Sequence, residues 1–173
     1  MAELWDEYNK NREKTGKVLT RGEKLLPGQH HLVVYVCIFN PQGQLLIQQR
    51  QNSKEDWPNM WDLTAGGSVI AGETSDLAAH RELLEELGLD IDFAKLRPSF
   101  SINDSLGFFD YYLITASPDI SALRLQPEEV QAVKWADKEQ VLQIIKSGEF
   151  MHYRPAFIDF LFDMKDKQGV RAD

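Results

Sequence analysis

The chain lacks several features that mark particular classes of protein. It has one cysteine, Cys37, inside the apolar run LVVYVCIF, so an internal disulfide is excluded and a reducing compartment is expected. We expect Cys37 to be a small buried apolar side chain. The longest apolar run has eight residues, far short of a membrane span. The first residues have neither the basic start nor the apolar stretch of a signal peptide, which predicts a cytoplasmic protein with no membrane partner.

Basic charge is also scarce, with 19 lysines and arginines against 27 acidic residues and a net charge of −8. A protein that neutralises many phosphates of a nucleic acid needs a basic face, so no nucleic acid polymer is expected as a partner. Small phosphorylated ligands stay compatible, because a bound divalent metal reverses the local sign of the charge. The length of 173 residues, with 43% hydrophobic residues, predicts one domain over 1–173.

The order of the predicted elements indicates an α/β layered domain. Strands are predicted from β-branched and aromatic content: a hairpin of 3–8 with 17–20, then 31–40, 45–50, 98–103, 108–116 and 130–135. Helices are predicted from apolar spacing and end signals: one ended by Gly88, one capped by Asp137, and one with Pro155 in its first turn. Central strands with helices before and after them predict a mixed sheet covered on both faces.

The segment RELLEELG (81–88) carries three glutamates on the first of these helices. Glu82, Glu85 and Glu86 are three and four residues apart, so their side chains are neighbours and repel one another. A wheel at about 100° per residue assigns Ala78 to this acidic face. The same wheel assigns four leucines to the core face: Leu77, Leu83, Leu84 and Leu87. The acids are explained either by a solvated face or by a bound cation.

The residues before the helix favour the cation. Gly66 and Gly67 permit a close backbone approach and leave carbonyls free, and Glu73 stands where the loop enters the helix. Arg81 can pair with Glu85 or reach back toward Glu73. A hard divalent cation binds carboxylate and carbonyl oxygens, which this turn and helix offer from two directions.

These residues also form a known pattern. GSVIAGETSDLAAHRELLEELGL (67–89) resembles the Nudix box, which is Gly, five residues, Glu, seven residues, then Arg-Glu-apolar-x-Glu-Glu-x-Gly-apolar. Every specified position matches. The resemblance implies a Nudix-type α/β/α sandwich with a mixed central sheet, an N-terminal hairpin and C-terminal helices. It also implies Mg²⁺- or Mn²⁺-dependent hydrolysis of a diphosphate bond in a small molecule, typically a nucleoside diphosphate linked to another group.

The resemblance assigns roles to single residues. Glu82, Glu85 and Glu86 are implied as metal ligands, with the carbonyl of Gly67 or of Gly66 as a further ligand. Through the metal, Glu82 and Glu86 are implied to be catalytic.

Other positions of the box are implied to be structural. Glu73 and Arg81 brace the loop, and Gly88 ends the helix, as Gly66 permits the turn. Family members also use an acid from outside the box as a ligand or general base. We favour Glu129, next to Glu128, with a solvated turn acid as the alternative.

A longer stretch, from His31 to Gly67, resembles isopentenyl-diphosphate isomerases, a branch with the Nudix fold. The likeness includes the FN…GQLL hairpin, the spacing of Arg50 and Lys54, and the WP..W loop. It implies that Arg50 and Lys54 contact the diphosphate, against the alternative of solvated loop charges. Trp57 and Trp61 are candidates for a pocket wall, with structural packing as the alternative, and we take Trp61 as the substrate contact.

The isomerase chemistry is missing from the chain. Gly66 stands where an isomerase has its catalytic cysteine, and Ser68 where it has a metal-binding histidine. His31 matches a second metal histidine, but the partner of that histidine falls near Lys24. We therefore predict a hydrolase. The alternatives are an isomerase-like enzyme and a non-catalytic nucleotide-binding regulatory module, and a homodimer stays open.

Overall fold

The computed structural model describes residues 2–94 and 96–166; the predicted range 1–173 and its C-terminal segment therefore extend beyond the described residues. Nine strands are described: β1 Leu4–Tyr8, β2 Lys14–Thr20, β3 His31–Phe39, β4 Leu45–Arg50, β5 Trp61–Asp62, β6 Ala65–Ser68, β7 Phe100–Asn103, β8 Gly107–Thr115 and β9 Val130–Ala136. Three α-helices are described: α1 Ser75–Leu87, α2 Lys138–Ser147 and α3 Pro155–Met164. These elements confirm the predicted strands, the N-terminal hairpin and the helices.

The central sheet is mixed, and two of its neighbouring strands, β3 and β4, separate along most of their length. Its order is β5-β4-β3-β8-β7, with β6 also paired to β3 and β9 to β4. β3 and β8 run parallel, and the other pairs are antiparallel. β3 and β4 meet only at Phe39 and Leu45. Beyond that point β3 pairs with β6 while β4 pairs with β5 and β9, so the sheet forks.

The two faces of the sheet carry separate cores, which confirms the α/β/α layering. The helix α1 covers one face, where it packs on alternate residues of β3 such as Val34 and Val36. The helices α2 and α3 cover the other face, around Phe39, Phe150 and Ile158. Cys37 is buried in this second core as a free thiol, as predicted, and burial raises its pKa.

The helix ends follow local chemistry. Asp137 forms a capping box with Gln140, because each side chain bonds the other's backbone N–H. Gly88 closes α1 in the left-handed conformation with φ of 68°. Pro155 occupies the first turn of α3, as predicted.

The predicted core face of α1 is wrong in part. Leu83 and Leu87 are fully buried, whereas Leu77 and Leu84 are exposed and Ala78 is buried. The helix lies close to the glycine strand β6, so its small residues fit against the sheet where leucines do not. Among the described residues, no helix is long and apolar enough to cross a membrane.

Candidate active site

A cavity of about 480 Å³ lies in the fork of the sheet. Its walls come from β3 and β6 on one side and from β4 and the following loop on the other, with α1 at one end. It brings together most of the residues predicted from sequence: Arg50, Lys54, Gly66, Gly67, Arg81, Glu82, Glu85, Glu86 and Glu129. A volume of this size accommodates a ligand considerably larger than a diphosphate.

Arg81 holds the acidic end of the cavity together. Its Nε and Nη2 donate to the two carboxylate oxygens of Glu73, at 2.9 and 3.0 Å. Its Nη1 donates to Glu82 at 2.8 Å and to Glu85 at 3.3 Å, and Nη2 also reaches the carbonyl of Ser68. All five guanidinium N–H groups are therefore used, and the loop before α1 is fixed to the helix.

Two of the three box glutamates are withdrawn from solvent. Glu86 is 7% exposed, and its carboxylate accepts hydrogen bonds from the Gln48 amide and the Gly66 N–H. Burial, and then the negative charge of Glu82, raise the pKa of Glu86 well above its usual value. Burial also raises the pKa of Glu82, although Arg81 opposes the rise. Glu85 lies at the rim, with its side chain 53% exposed.

The two glycines of β6 leave room for neighbouring groups on the two faces of this strand. A Cβ atom at Gly67 would overlap the carboxyl group of Glu82. A Cβ atom at Gly66 would lie 2.6 Å from the ring of Tyr35 and 2.8 Å from the carbonyl oxygen of Val34. Since neighbouring strand residues face opposite sides, Gly67 makes room for the acids and Gly66 makes room for the aromatic side.

The acidic end offers the oxygen donors that a divalent cation takes. Among the described residues, no three acidic, cysteine or histidine side chains are arranged around a common metal position. Arg81 engages Glu82 and Glu85, while Gln48 engages Glu86. Gln48 Oε1, beside Glu86, is buried with no hydrogen-bond partner in the described part of the chain. The oxygens of several neighbouring carboxylates and one unpaired amide oxygen are donors of the kind that a hard divalent cation binds.

Two basic side chains, Arg50 and Lys54, line the cavity from the end of β4 and the loop that follows it. Lys54 Nζ donates to Glu129 at 2.5 Å, so the predicted phosphate contact and the predicted outer acid are partners. The charge of Glu129 also contributes to the raised pKa of Glu86, which places Glu129 near the acids. Arg50 donates through Nε and Nη2 to the Asp56 carbonyl, and its Nη1 has no hydrogen-bond partner among the described residues.

The other end of the cavity is aromatic and contains one buried acid. Tyr35 and Phe109 lie with parallel rings 6.5 Å apart, and both line the cavity with Trp57. Trp57 has φ of 53°, an uncommon backbone conformation for a bulky residue and one that clusters at functional sites. Asp62 also lines this end, and burial raises its pKa to about 6.

Trp61 does not line the cavity, so the structure does not support it as a substrate contact. The register of β5 pairs Trp61 with Gln49, and the Lys134 ammonium lies 4.2 Å from its ring centre. The packing alternative for Trp61 fits this placement, and Trp57 takes the wall. Sequence reasoning gave no role to Asp62 or Gln48, because neither residue belongs to a recognisable motif.

The isomerase positions are also in the cavity but carry no isomerase groups. Gly66 and Ser68 line it where a cysteine and a histidine would be needed. His31 lies in the lining too, with its ring edge-on to Trp5 at 4.4 Å and its pKa lowered by burial.

Comparison with known proteins agrees with this geometry. An uncharacterised Nudix hydrolase of Listeria innocua is 52% identical over 97% of this chain and 98% of that protein. A Nudix hydrolase of Deinococcus radiodurans is 32% identical over 85% of this chain and 86% of that protein. An isopentenyl-diphosphate isomerase of Citrobacter koseri is 33% identical over 68% of each chain.

Solved structures show the same fold. The crystal structure of DR0079 from Deinococcus radiodurans superposes with a TM-score of 0.75, at 29% identity, over 92% of this chain and 97% of that one. The family profile of the NUDIX domain matches residues 29–156, which include the whole box and the fork of the sheet. The chain belongs to the Nudix family and is a hydrolase of that family.

Proposed function

We propose that the protein is a divalent-metal-dependent hydrolase that cleaves a diphosphate bond in a small organic diphosphate. The observation that carries this proposal is the buried carboxylate of Glu86 beside the largely buried carboxylate of Glu82, whose side chain is 14% exposed, in a cavity that Arg50 and Lys54 also line. Family membership supports diphosphate hydrolysis in general, and Nudix hydrolases in general use divalent metals.

Glu82, Glu85 and Glu86 would hold Mg²⁺ or Mn²⁺, with the backbone carbonyl of Gly67. Gln48 Oε1 is a further oxygen within the same group of side chains. A bound cation would neutralise phosphate oxygens and lower the pKa of a water molecule. Without the metal, Arg81 holds Glu82 and Glu85, whereas Gln48 and the Gly66 N–H hold Glu86.

The remaining groups act on the substrate itself. Lys54 and the free Nη1 of Arg50 would bind oxygens of the diphosphate, and Lys54 would then exchange Glu129 for phosphate. Glu129, released from Lys54, would accept the proton of the attacking water. The water oxygen would form a bond to phosphorus as the bridging P–O bond breaks. The bridging oxygen would keep the electron pair of that bond and leave as part of the second phosphate product.

Replacing Glu86 by Gln tests the proposal. The amide keeps the shape and accepts the bonds from Gln48 and Gly66, so the fold is retained. We expect hydrolysis of nucleotide sugars, dinucleotides and nucleoside triphosphates with Mg²⁺ or Mn²⁺, measured as formation of the nucleoside monophosphate product, to fall on the order of a hundredfold or more. Glu128→Gln is the matched control, since Glu128 is exposed and outside the cavity lining. An active Glu86→Gln variant would contradict the proposal.

Two further measurements, isomerisation of isopentenyl diphosphate and binding of nucleotides, separate the alternatives. Formation of dimethylallyl diphosphate from isopentenyl diphosphate would support an isomerase-like enzyme, although Gly66 and Ser68 supply no group for proton transfer. Tight binding of nucleotides without any turnover would support a regulatory module. We expect neither result.

A further inference from the structure

The aromatic end of the cavity contains a carboxylate that the hydrolysis proposed above does not use. Asp62 is 6% exposed, and among the described residues it forms no ion pair. Burial raises its pKa to about 6, and the hydrogen bonds from Leu63 and Tyr153 and the charge of Arg50 oppose this rise only in part. An unpaired buried acid is rare in protein interiors and is commonest at functional sites.

The side chain of Asp62 is held in one orientation. Its Oδ1 accepts hydrogen bonds from the Leu63 N–H at 2.7 Å and from the Tyr153 hydroxyl at 3.1 Å. Tyr153 is itself packed edge-on against Tyr35, with ring centres 6.5 Å apart. The second oxygen, Oδ2, accepts no hydrogen bond from any residue that the structure describes. Asp62 therefore offers one fixed, unused acceptor in a wall of the cavity.

The position of Asp62 relative to the acids separates it from the proposed metal site. The charges that raise the pKa of Glu86 are those of Glu82 and Glu129, whereas Asp62 is influenced by Arg50. The sheet register pairs Asp62 with Gln48, and the Gln48 amide in turn donates to Glu86. Asp62 thus lies on β5, next to the strand that contacts the acids, and it lines the same cavity, so an organic group attached to a diphosphate at the acids could reach it.

The surroundings of Asp62 define what it would bind. Tyr35 and Phe109 present rings to the same cavity, which favours a carbon skeleton with a flat or apolar face. A buried carboxylate favours a hydrogen-bond donor and disfavours a purely hydrocarbon chain, because the charge would lose water and gain no partner.

We propose that Asp62, positioned by Tyr153, selects substrates whose organic group carries a hydroxyl donor, as in a sugar, over substrates with a hydrocarbon group. This inference rests on the proposed function, because the bound ligand is a substrate only if the protein hydrolyses diphosphates. The binding preference itself is measured without hydrolysis. We therefore expect an isoprenoid diphosphate, which has no donor on its chain, to bind this cavity weakly.

Two uncleavable five-carbon probes test the inference, each with a methylene bridge between its phosphorus atoms. One is the ribose 5-ester of methylenediphosphonate, and the other is the pentyl ester; methylenediphosphonate alone reports the phosphate contacts. Equilibrium binding to the full chain is measured with Mg²⁺ present. We expect the parent protein to bind the ribosyl probe at least about tenfold more tightly than the pentyl probe, as for a hydrogen bond to a charged group.

The Asp62→Asn variant should lose that preference while its affinity for methylenediphosphonate alone stays within about twofold. Asn keeps an oxygen for the Leu63 N–H, and thermal unfolding verifies the fold. Tyr153→Phe is the second variant and should reduce the preference partially, because Oδ1 loses one of its two donors. Equal binding of the two probes to the parent protein, or an unchanged preference in Asp62→Asn, would overturn the inference. Loss of hydrolysis bears only on the proposed function, since neither probe is cleaved.

Discussion

At the scale of single residues, the two glycines of β6 are required for different reasons: Gly67 leaves space for a side chain of the site, and Gly66 leaves space for the neighbouring strand. At Gly67 the atom that a new Cβ would meet belongs to the flexible end of Glu82. At Gly66 the obstacles are the Tyr35 ring and the Val34 carbonyl, which have little freedom to move. The absence of a side chain at Gly67 therefore lets Glu82, a proposed metal ligand, keep its position. The absence of a side chain at Gly66 lets β6 pair closely with β3.

Gly67→Ala and Gly66→Ala should consequently fail in different ways. We expect Gly67→Ala to lower the rate of hydrolysis on the order of tenfold or more by displacing Glu82, with a small loss of stability. We expect Gly66→Ala to lower the free energy of unfolding by about 1–3 kcal/mol, because the strand must shift. Urea unfolding and activity are measured for both variants. Equal effects of the two substitutions on activity and stability would contradict this division.

Asp62 also has a consequence for stability. Its pKa in the folded protein is raised from 3.8 to about 6, so the folded state favours the protonated carboxyl group. The stability contributed by the protonated form is present below pH 3.8 and is lost as the pH rises through about 6. At neutral pH the ionised group is therefore destabilising, by about 3 kcal/mol for a rise of this size.

Asp62→Asn should then be more stable than the parent protein at pH 7.5, and the difference should shrink toward zero near pH 4. Thermal unfolding across this pH range measures it, with Asp90→Asn as the control because the Asp90 side chain is 81% exposed. A stability difference that is independent of pH would be inconsistent with a raised pKa.

The box residues were predictable from sequence, but the aromatic end of the cavity was not. Gly67, Glu73, Arg81 and the glutamates have fixed spacing, which one helix and its preceding loop translate directly into neighbours. Asp62 gains its environment from Tyr153, 91 positions away in the chain, and no local pattern announces such a contact. For the same reason sequence reasoning named both Trp57 and Trp61 as candidates for the pocket wall but assigned the substrate contact to Trp61, whereas Trp57 lines the cavity.

At the scale of elements, one buried acid joins the N-terminal hairpin, α1 and the sheet. Asp110 on β8 is fully buried and binds Arg12 of the hairpin turn, together with the hydroxyls of Ser75 and Ser101. Ser75 is the first residue of α1, and it also accepts a hydrogen bond from Tyr112. This network fixes the start of the helix that carries the proposed metal ligands.

Asp110→Ala should therefore destabilise the protein by about 1–3 kcal/mol, since the hydroxyls of Ser75 and Ser101 lose a buried acceptor while the partly exposed Arg12 can be solvated. Asp90→Ala is the matched control, because Asp90 pairs with His80 at the surface and exposed pairs contribute little. Urea unfolding compares the two variants. If both lost the same stability, the Asp110 network would have no special role.

The order of the elements was predictable, but the orientation of α1 was not. Each strand had its own β-branched or aromatic signal, and the hairpin, the Asp137 cap and the Pro155 start were local. The rotation of α1 depends on its partner, because β6 is glycine-rich and accepts Ala78 at a distance where Leu77 and Leu84 would not fit. A helical wheel contains no information about the partner surface.

At the scale of the whole molecule, the fork of the sheet reconciles an acidic chain with an anionic substrate. The net charge is −8, yet the acids of α1 and the basic side chains of the β4 wall converge on one cavity. Phosphate oxygens would be repelled by the acidic end unless a cation lies between them. We therefore propose that a divalent metal binds between Glu82, Glu86 and Gly67.

The most direct test is a crystal structure with Mn²⁺ in which the metal is located by its anomalous scattering. The account predicts one or more peaks at about 2.1 Å from carboxylate oxygens of Glu82 and Glu86, with Arg81 turned away from Glu82. Those peaks should be absent from Glu86→Gln crystals grown under the same conditions. Mn²⁺ bound elsewhere, or no bound Mn²⁺ in crystals of protein that hydrolyses a diphosphate in the same solution, would contradict it.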